Sequence, residues 1–371
     1  MQHSLPPETD ILVSRGSYEE FGSLRIQGAY IRGLIDEITE IVEPFCDNEY
    51  MKHYYIDEVK LKHFEKQESI INFSDILLLR FEINGEVFYP WEGEVVSWER
   101  YIDIKRACLV RNVTWKSPNG LVTQFKFERF ASSDSDNMYC IKACVKPVNY
   151  SSEISVVSGF DTRVKTNGQH ITKTLKSTVK ENTCYTLTSI GEKYNFTISS
   201  TAKTNIYGAD ATWDIYTKED DIVATVGVFK AQQGVEYTVE KNIYIISSRE
   251  TQDLEPQIPD DTYEQYYQRH IKAYSEILSA VDCVIEGDTI ADGTIRFSNY
   301  HSIIAIPKND SIHGLSAKGI TGEKYNNFVW WDSEIYQLPI YIYTMPTAAK
   351  NAIMYRYNML NSAKKQCKIG K

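Results

Sequence analysis

At 371 residues, with 42% hydrophobic and 24% charged residues, the chain has an ordinary globular composition and enough length for two domains. Its net charge of −10 argues against a nucleic-acid footprint and leaves a neutral or cationic small ligand open. No apolar run reaches the roughly 18 residues that span a bilayer, and MQHSLPPETD lacks the basic and apolar parts of a signal peptide, so a soluble, cytoplasmic protein with reduced thiols is expected.

Taken in chain order, the first stretch with chemistry is SRGSYEE, residues 14–20, where Arg15 is placed to pair with Glu19 or Glu20 in a surface ion pair. From about residue 70 to 250 short β-type runs alternate with turn residues. They include DILLLRFEINGEVFYP with Asn84-Gly85, VTWKSPNGLVTQFKFERF with Pro118-Asn119-Gly120, EISVVSGF, KYNFTISS, DIVATVGVFKA and KNIYIISS. Such spacing predicts a large antiparallel β-sandwich. Cys140 and Cys144 lie four apart in one alternating run and so share a strand face; with no further ligands at suitable spacing, the seven cysteines read as packed small hydrophobes and not as a metal site.

Prolines and acids in LEPQIPDD, residues 254–261, mark a linker or cap. The next run, TYEQYYQRHIKAYSEILSAVD, places Tyr263, Tyr266, Tyr267, His270, Ile271, Tyr274, Ile277, Leu278 and Val281 on one face of a helix. In VIEGD, residues 284–288, Glu286 and Asp288 form either an acid/base pair or the cap of a helix carrying Arg296, Phe297 and His301. PTAAKNAIMYRYNMLNSAKKQ predicts a last helix over 346–366, with Pro346 in its first turn and a basic end suited to a helix C-terminus.

Between these helices stands NFVWWDSEIYQLPIY, residues 327–341, the strongest candidate site. Phe328, Trp330 and Trp331 offer aromatic faces that cover the C–H side of a sugar ring, while Asp332 and Glu334 offer acceptors for hydroxyl pairs. The residues alone leave a structural alternative open, in which both tryptophans fill a helix–helix seam and Asp332 caps the helix that follows. No phosphate-loop glycine pattern, Ser-His-Asp elbow or HExxH helix occurs, which disfavours nucleotide and metal chemistry.

Several stretches together resemble glycoside hydrolase family 65, the inverting phosphorylases of maltose, kojibiose, nigerose and trehalose with some hydrolases. They are SRGSYEE, GAYIRGLID, VVSGFDTRVKTNG, IEGDTIADGTIRFSNYH, AKGITGEKYNNFVWWDSEIYQLPIYIY and MYRYNML. The resemblance implies a β-sandwich over 1–255, a helical linker over 256–285, and the start of an (α/α)6 catalytic barrel over 286–371, truncated at the end of the chain. It makes Trp331 the apolar platform and Asp332 the hydroxyl acceptor of a sugar subsite, flanked by Phe328 and Trp330 and supported by Glu334. It also implies an α-linked glucose disaccharide and inorganic phosphate as co-substrates, no cofactor, and a homodimer formed through the β domain. The family's general-acid glutamate is expected beyond Lys371, so this chain alone is expected to be inactive. Asn327 and Phe328 depart from the family's usual Gly-His. A non-catalytic carbohydrate-binding or dimerisation module is the alternative function.

Overall fold

The computed structural model describes residues 12–14, 17–20, 28–42, 63–308, 311–317, 319–320 and 328–369. Two short ladders come first, β1 (Leu12–Ser14) with β2 (Ala29–Ile31) and β3 (Ile35–Val42) with β4 (His63–Ile70). Thirteen strands follow: β5 (Leu79–Ile83), β6 (Glu86–Val87), β7 (Glu94–Asp103), β8 (Cys108–Lys116), β9 (Val122–Ala131), β10 (Met138–Pro147), β11 (Ser152–Asp161), β12 (Thr172–Lys180), β13 (Thr183–Ile190), β14 (Phe196–Tyr207), β15 (Thr212–Ile215), β16 (Ile222–Ala231) and β17 (Tyr237–Ser247). They form an eight-stranded sheet in the order β12-β13-β14-β17-β10-β9-β8-β7 and a five-stranded sheet in the order β15-β16-β11-β5-β6. The predicted large antiparallel β domain is therefore present, and its strands begin well before residue 70.

Alternation decides which face each strand buries. In β10, Ile141, Ala143 and Val145 point into a core shared with Phe81 of β5 and Ile154 and Val156 of β11, so the two sheets pack face to face. Cys140, on the opposite face of β10, is covered by the first helix. Asn84 (φ 48°) and Gly85 (φ 83°) both take the left-handed conformation that a tight hairpin requires, which is why this dipeptide joins β5 to β6.

One lysine crosses the sandwich. Lys241 of β17 is fully buried, and its Nζ donates to the carbonyls of Ile76 (2.7 Å), Leu78 (2.9 Å) and Gly159 (2.6 Å) on the five-stranded side. An ammonium is tolerated there because its donors find acceptors.

The ion pairs of the SRGSYEE stretch differ from the expected surface bridge. Glu19 and Glu20 are buried, and their partners are Arg111 of β8 and Arg129 of β9. Arg111 Nη1 and Nη2 bind the two oxygens of Glu20 at 2.7 and 2.6 Å, and its guanidinium lies 4.2 Å from the centre of the Phe127 ring. Arg15 lies outside the described residues. Arg111 and Arg129 share the face of Phe127 and Ile141, so two acids adjacent in sequence dock the N-terminal segment against the inner face of the large sheet.

Helices occupy the C-terminal third. α1 (Tyr263–Val281) starts with a reciprocal cap, Gln265 N to Thr262 Oγ1 and Thr262 N to Gln265 Oε1, and buries Tyr263, His270, Tyr274 and Val281 of the predicted stripe. α2 (Thr289–Ala305), α3 (Leu338–Thr344) and α4 (Pro346–Ile369) follow, with Pro346 opening α4 as predicted. Cross-links tie them together: Asn299 Nδ2 to Val281 O (2.7 Å) joins α2 to α1, Tyr341 Oη to Ser302 O (2.9 Å) joins α3 to α2, and Arg32 Nη2 to Ala305 O (2.7 Å) fixes α2 to the β domain. Among the described residues, no helix is long and apolar enough to cross a membrane.

Candidate functional site

A single turn of π-helix, Ser333–Gln337, precedes α3. Pro339 explains it: proline has no N–H for the carbonyl four residues back, and Leu338 N instead donates to Ser333 O, five residues back. This wide turn carries Asp332 and Glu334 at its start. It is pinned from below by Ser333 Oγ, which donates to Leu315 O at 2.9 Å.

The tryptophans do not fill a seam. Trp331 is 69% exposed, Trp330 43% and Phe328 42%, so three aromatic side chains face outward around the turn. Asp332 does not cap either, because its side chain accepts no bond from the turn that follows. Its Oδ1 is buried and has no hydrogen-bond partner among the described residues, an unusual state for a carboxylate oxygen. Neither part of the structural alternative is formed, since the aromatics are solvent-facing and the carboxylate makes no cap bond.

Glu334 has a different task. Its two oxygens are gripped by Arg356 of α4, Nε to Oε1 at 2.9 Å and Nη2 to Oε2 at 2.8 Å, and the same guanidinium reaches Trp330 O (2.8 Å) and Val329 O (3.3 Å). One fork therefore holds the carboxylate and two carbonyls of the loop against α4. The bonds to Glu334 raise the basicity of Arg356, with burial opposing and the charges of Glu334, Tyr355 and Asp332 adding to the rise. Sequence reasoning did not single out Arg356. Its only signals were its place in MYRYNML and the need of a half-buried glutamate for a partner.

The VIEGD acids resolve as a cap. Asp288 Oδ1 accepts from Ile290 N and Ala291 N, both at 3.0 Å, and so starts α2. Glu286 sits exposed in the preceding turn, so the acid/base pairing of these two residues is not formed.

Two further observations bear on chemistry. His270 is buried against Phe130, ring centroids 4.4 Å apart, with Nδ1 accepting from Ser133 N (3.1 Å) and Nε2–H donating to Arg106 O (2.8 Å). Those bonds fix a neutral tautomer, and burial lowers its basicity although the bond to Arg106 opposes this. Cys140 is likewise structural, since burial pushes its thiol well above the usual range. Among the described residues, no cluster of three or more His, Cys, Asp or Glu side chains is arranged to hold a metal ion.

Residues 11–278 match the N-terminal domain of glycosyl hydrolase family 65, and residues 296–370 match that family's central catalytic domain. The chain is 45% identical over 361 residues to the 3-O-α-D-glucosyl-L-rhamnose phosphorylase of Lachnoclostridium phytofermentans, covering 96% of this chain and 48% of that protein. It is 27% identical over 380 residues to the α,α-trehalose phosphorylase of Thermoanaerobacter brockii, covering 95% and 47%. A solved structure provisionally titled a kojibiose phosphorylase, from the human microbiome, superposes with a TM-score of 0.77 at 19% identity over 98% of this chain and 47% of that one. The chain spans about half the length of the curated relatives it matches. The β domain, the helices after it and both domain matches lead to one conclusion: the chain belongs to glycosyl hydrolase family 65.

Proposed function

We propose that the Phe328–Glu334 loop is one wall of a sugar subsite in a disaccharide phosphorylase. Trp331 is its apolar platform, Asp332 accepts a bond from a sugar hydroxyl, Phe328 and Trp330 flank the ring, and Glu334 holds the geometry through Arg356. The observation that carries this reading is the buried, unpartnered Asp332 Oδ1 beside the outward-facing Trp331. A bound hydroxyl would satisfy that oxygen and place a C–H face on the indole.

The reaction of the whole protein is, in this reading, phosphorolysis with inversion. A phosphate oxygen attacks the anomeric carbon, the glycosidic C–O bond breaks on the opposite face, and a carboxylic acid gives its proton to the leaving oxygen. β-Glucose 1-phosphate and a free sugar result, with inorganic phosphate as co-substrate and no cofactor. The acid and the phosphate pocket come from the part of the family's barrel that the matched half does not include. The 45% relative makes 3-O-α-D-glucosyl-L-rhamnose the first disaccharide to try, ahead of trehalose and kojibiose. The exposed Ile342, Tyr343, Ile353, Tyr357 and Leu360 of α3 and α4 support placing these helices in a larger (α/α)6 barrel that covers them.

Titration of the purified protein with these disaccharides tests the subsite. Saturable binding that is lost on Asp332→Asn and on Trp331→Ala is expected; binding that survives both substitutions would sink the assignment. A second reading, self-association through the β domain, is favoured by the edge strand β7, where Val95, Val96, Trp98 and Tyr101 are exposed. Light scattering of Val96→Lys should then report a monomer where the unaltered protein is a dimer.

A further inference from the structure

A cavity of about 560 Å³ lies between the eight-stranded sheet and the helices. Phe130 and Tyr139 line it from the sheet, Tyr274 from α1, Tyr300 from α2, and Lys308 and Ser316 from the segment beyond α2. None of Phe328, Trp330, Trp331, Asp332 or Glu334 lines it. Its size falls in the usual range for small-molecule sites, and a junction between layers is a common place for them.

Two of its lining side chains are unsatisfied. Tyr274 and Ser316 are 1% and 3% exposed, and neither Tyr274 Oη nor Ser316 Oγ has a hydrogen-bond partner among the described residues. Buried hydroxyls are rarely left so, and the two come from different elements that meet at this cavity. Its charged groups act on one another: Arg129 pairs with Glu19, and Lys308 feels the attraction of Asp136 and the repulsion of Arg32. A neutral molecule bearing hydroxyls can both give and accept bonds there and lay its carbon skeleton on Phe130.

We propose that this cavity binds a neutral polyhydroxylated molecule of monosaccharide size, held by the hydroxyls of Tyr274 and Ser316. The site is independent of the loop subsite, and the test keeps the two apart. Glucose, glycerol and inorganic phosphate are titrated calorimetrically into the full chain carrying Trp331→Ala, which disables the loop subsite. Saturable glucose binding is expected, weaker for glycerol and absent for phosphate. Adding Tyr274→Phe and Ser316→Ala, which remove two hydroxyls and little volume, should weaken glucose binding about tenfold. No saturable glucose signal, or affinity unchanged by those substitutions, overturns the proposal, the first outcome meaning that the cavity holds water only and the second that glucose binds elsewhere. Tighter binding of phosphate than of glucose overturns the ligand class. Hydrogen exchange of the Trp331→Ala chain gives a readout that needs no cavity variant: glucose should slow exchange in α2 and at 314–317, and unchanged rates there contradict the site.

Discussion

Replacing Arg111 by methionine tests how the N-terminal segment is held. Methionine keeps apolar volume beside Phe127 while removing both bonds to Glu20 and the 2.7 Å contact with Glu19. Glu20 is 0% exposed, so the substitution strands a buried carboxylate. Breaking such a pair from one side costs about 3–5 kcal/mol, and loss of the cation–ring contact adds up to about 1 kcal/mol. Urea unfolding followed by tryptophan fluorescence should show the loss as a lower midpoint, with Arg111→Met/Glu20→Leu recovering much of it, because an apolar pair has no stranded charge. A loss below about 1 kcal/mol for the single variant would refute the reasoning, since it would mean water reaches Glu20 in the native protein. The acid limb carries a second signature. Burial acts to raise the carboxyl of Glu19, but Arg111 and Arg129 outweigh it and hold the group below 4.5, so its stabilisation is complete above that pH and is lost as pH falls below it.

Three further outcomes are expected. His270 is neutral in the folded state and held below its ordinary 6.5, so its contribution is full above pH 6.5 and lost as pH falls below; His270→Gln should flatten the stability profile on the acid side of pH 6.5, read from thermal midpoints. Asp288→Ala removes two cap bonds and should cost about 1 kcal/mol, seen as faster hydrogen exchange in the first turn of α2, while Asp288→Ser restores most of it. Arg356→Ala should leave the β domain unaffected and speed exchange of residues 329–337, with a local loss of about 1 kcal/mol because its side chain is 37% exposed; equal rates in the two proteins would show that the fork does not hold the loop.

The β domain was legible because its signals are local. Asn84-Gly85 can form only a narrow set of turns, and a strand such as VTQFKFERFA declares its buried face by the alternation of Phe125 and Phe127 with Gln124 and Lys126. The helix 263–281 was legible for the same reason, its aromatic stripe and Thr262 cap both lying in one short window. Pairings across the chain were not legible. Glu19 finds Arg129 110 residues away and Glu334 finds Arg356 22 residues away, and nothing in either neighbourhood names the partner. Composition alone left open whether Asp332 caps a helix or faces a ligand, because both roles want the same residue before an apolar run. The structure removes the cap: Asp332 is itself in helical conformation, and Ser333 N and Glu334 N donate to the carbonyls of Trp330 and Trp331 instead of to its side chain. The cavity behind α2 had no signature, as its walls come from elements as far apart in sequence as Leu12 and Tyr341.

Lys241 turns the sandwich into its own reporter. An amine enclosed by the carbonyls of Ile76, Leu78 and Gly159 is unreachable by an acylating reagent while the two sheets stay together. A lysine with an exposed side chain, such as Lys230 of β16, has no such protection and labels at once. Modification at position 241, followed over time by mass spectrometry, thus measures how often the two sheets separate under native conditions, without any substitution or probe.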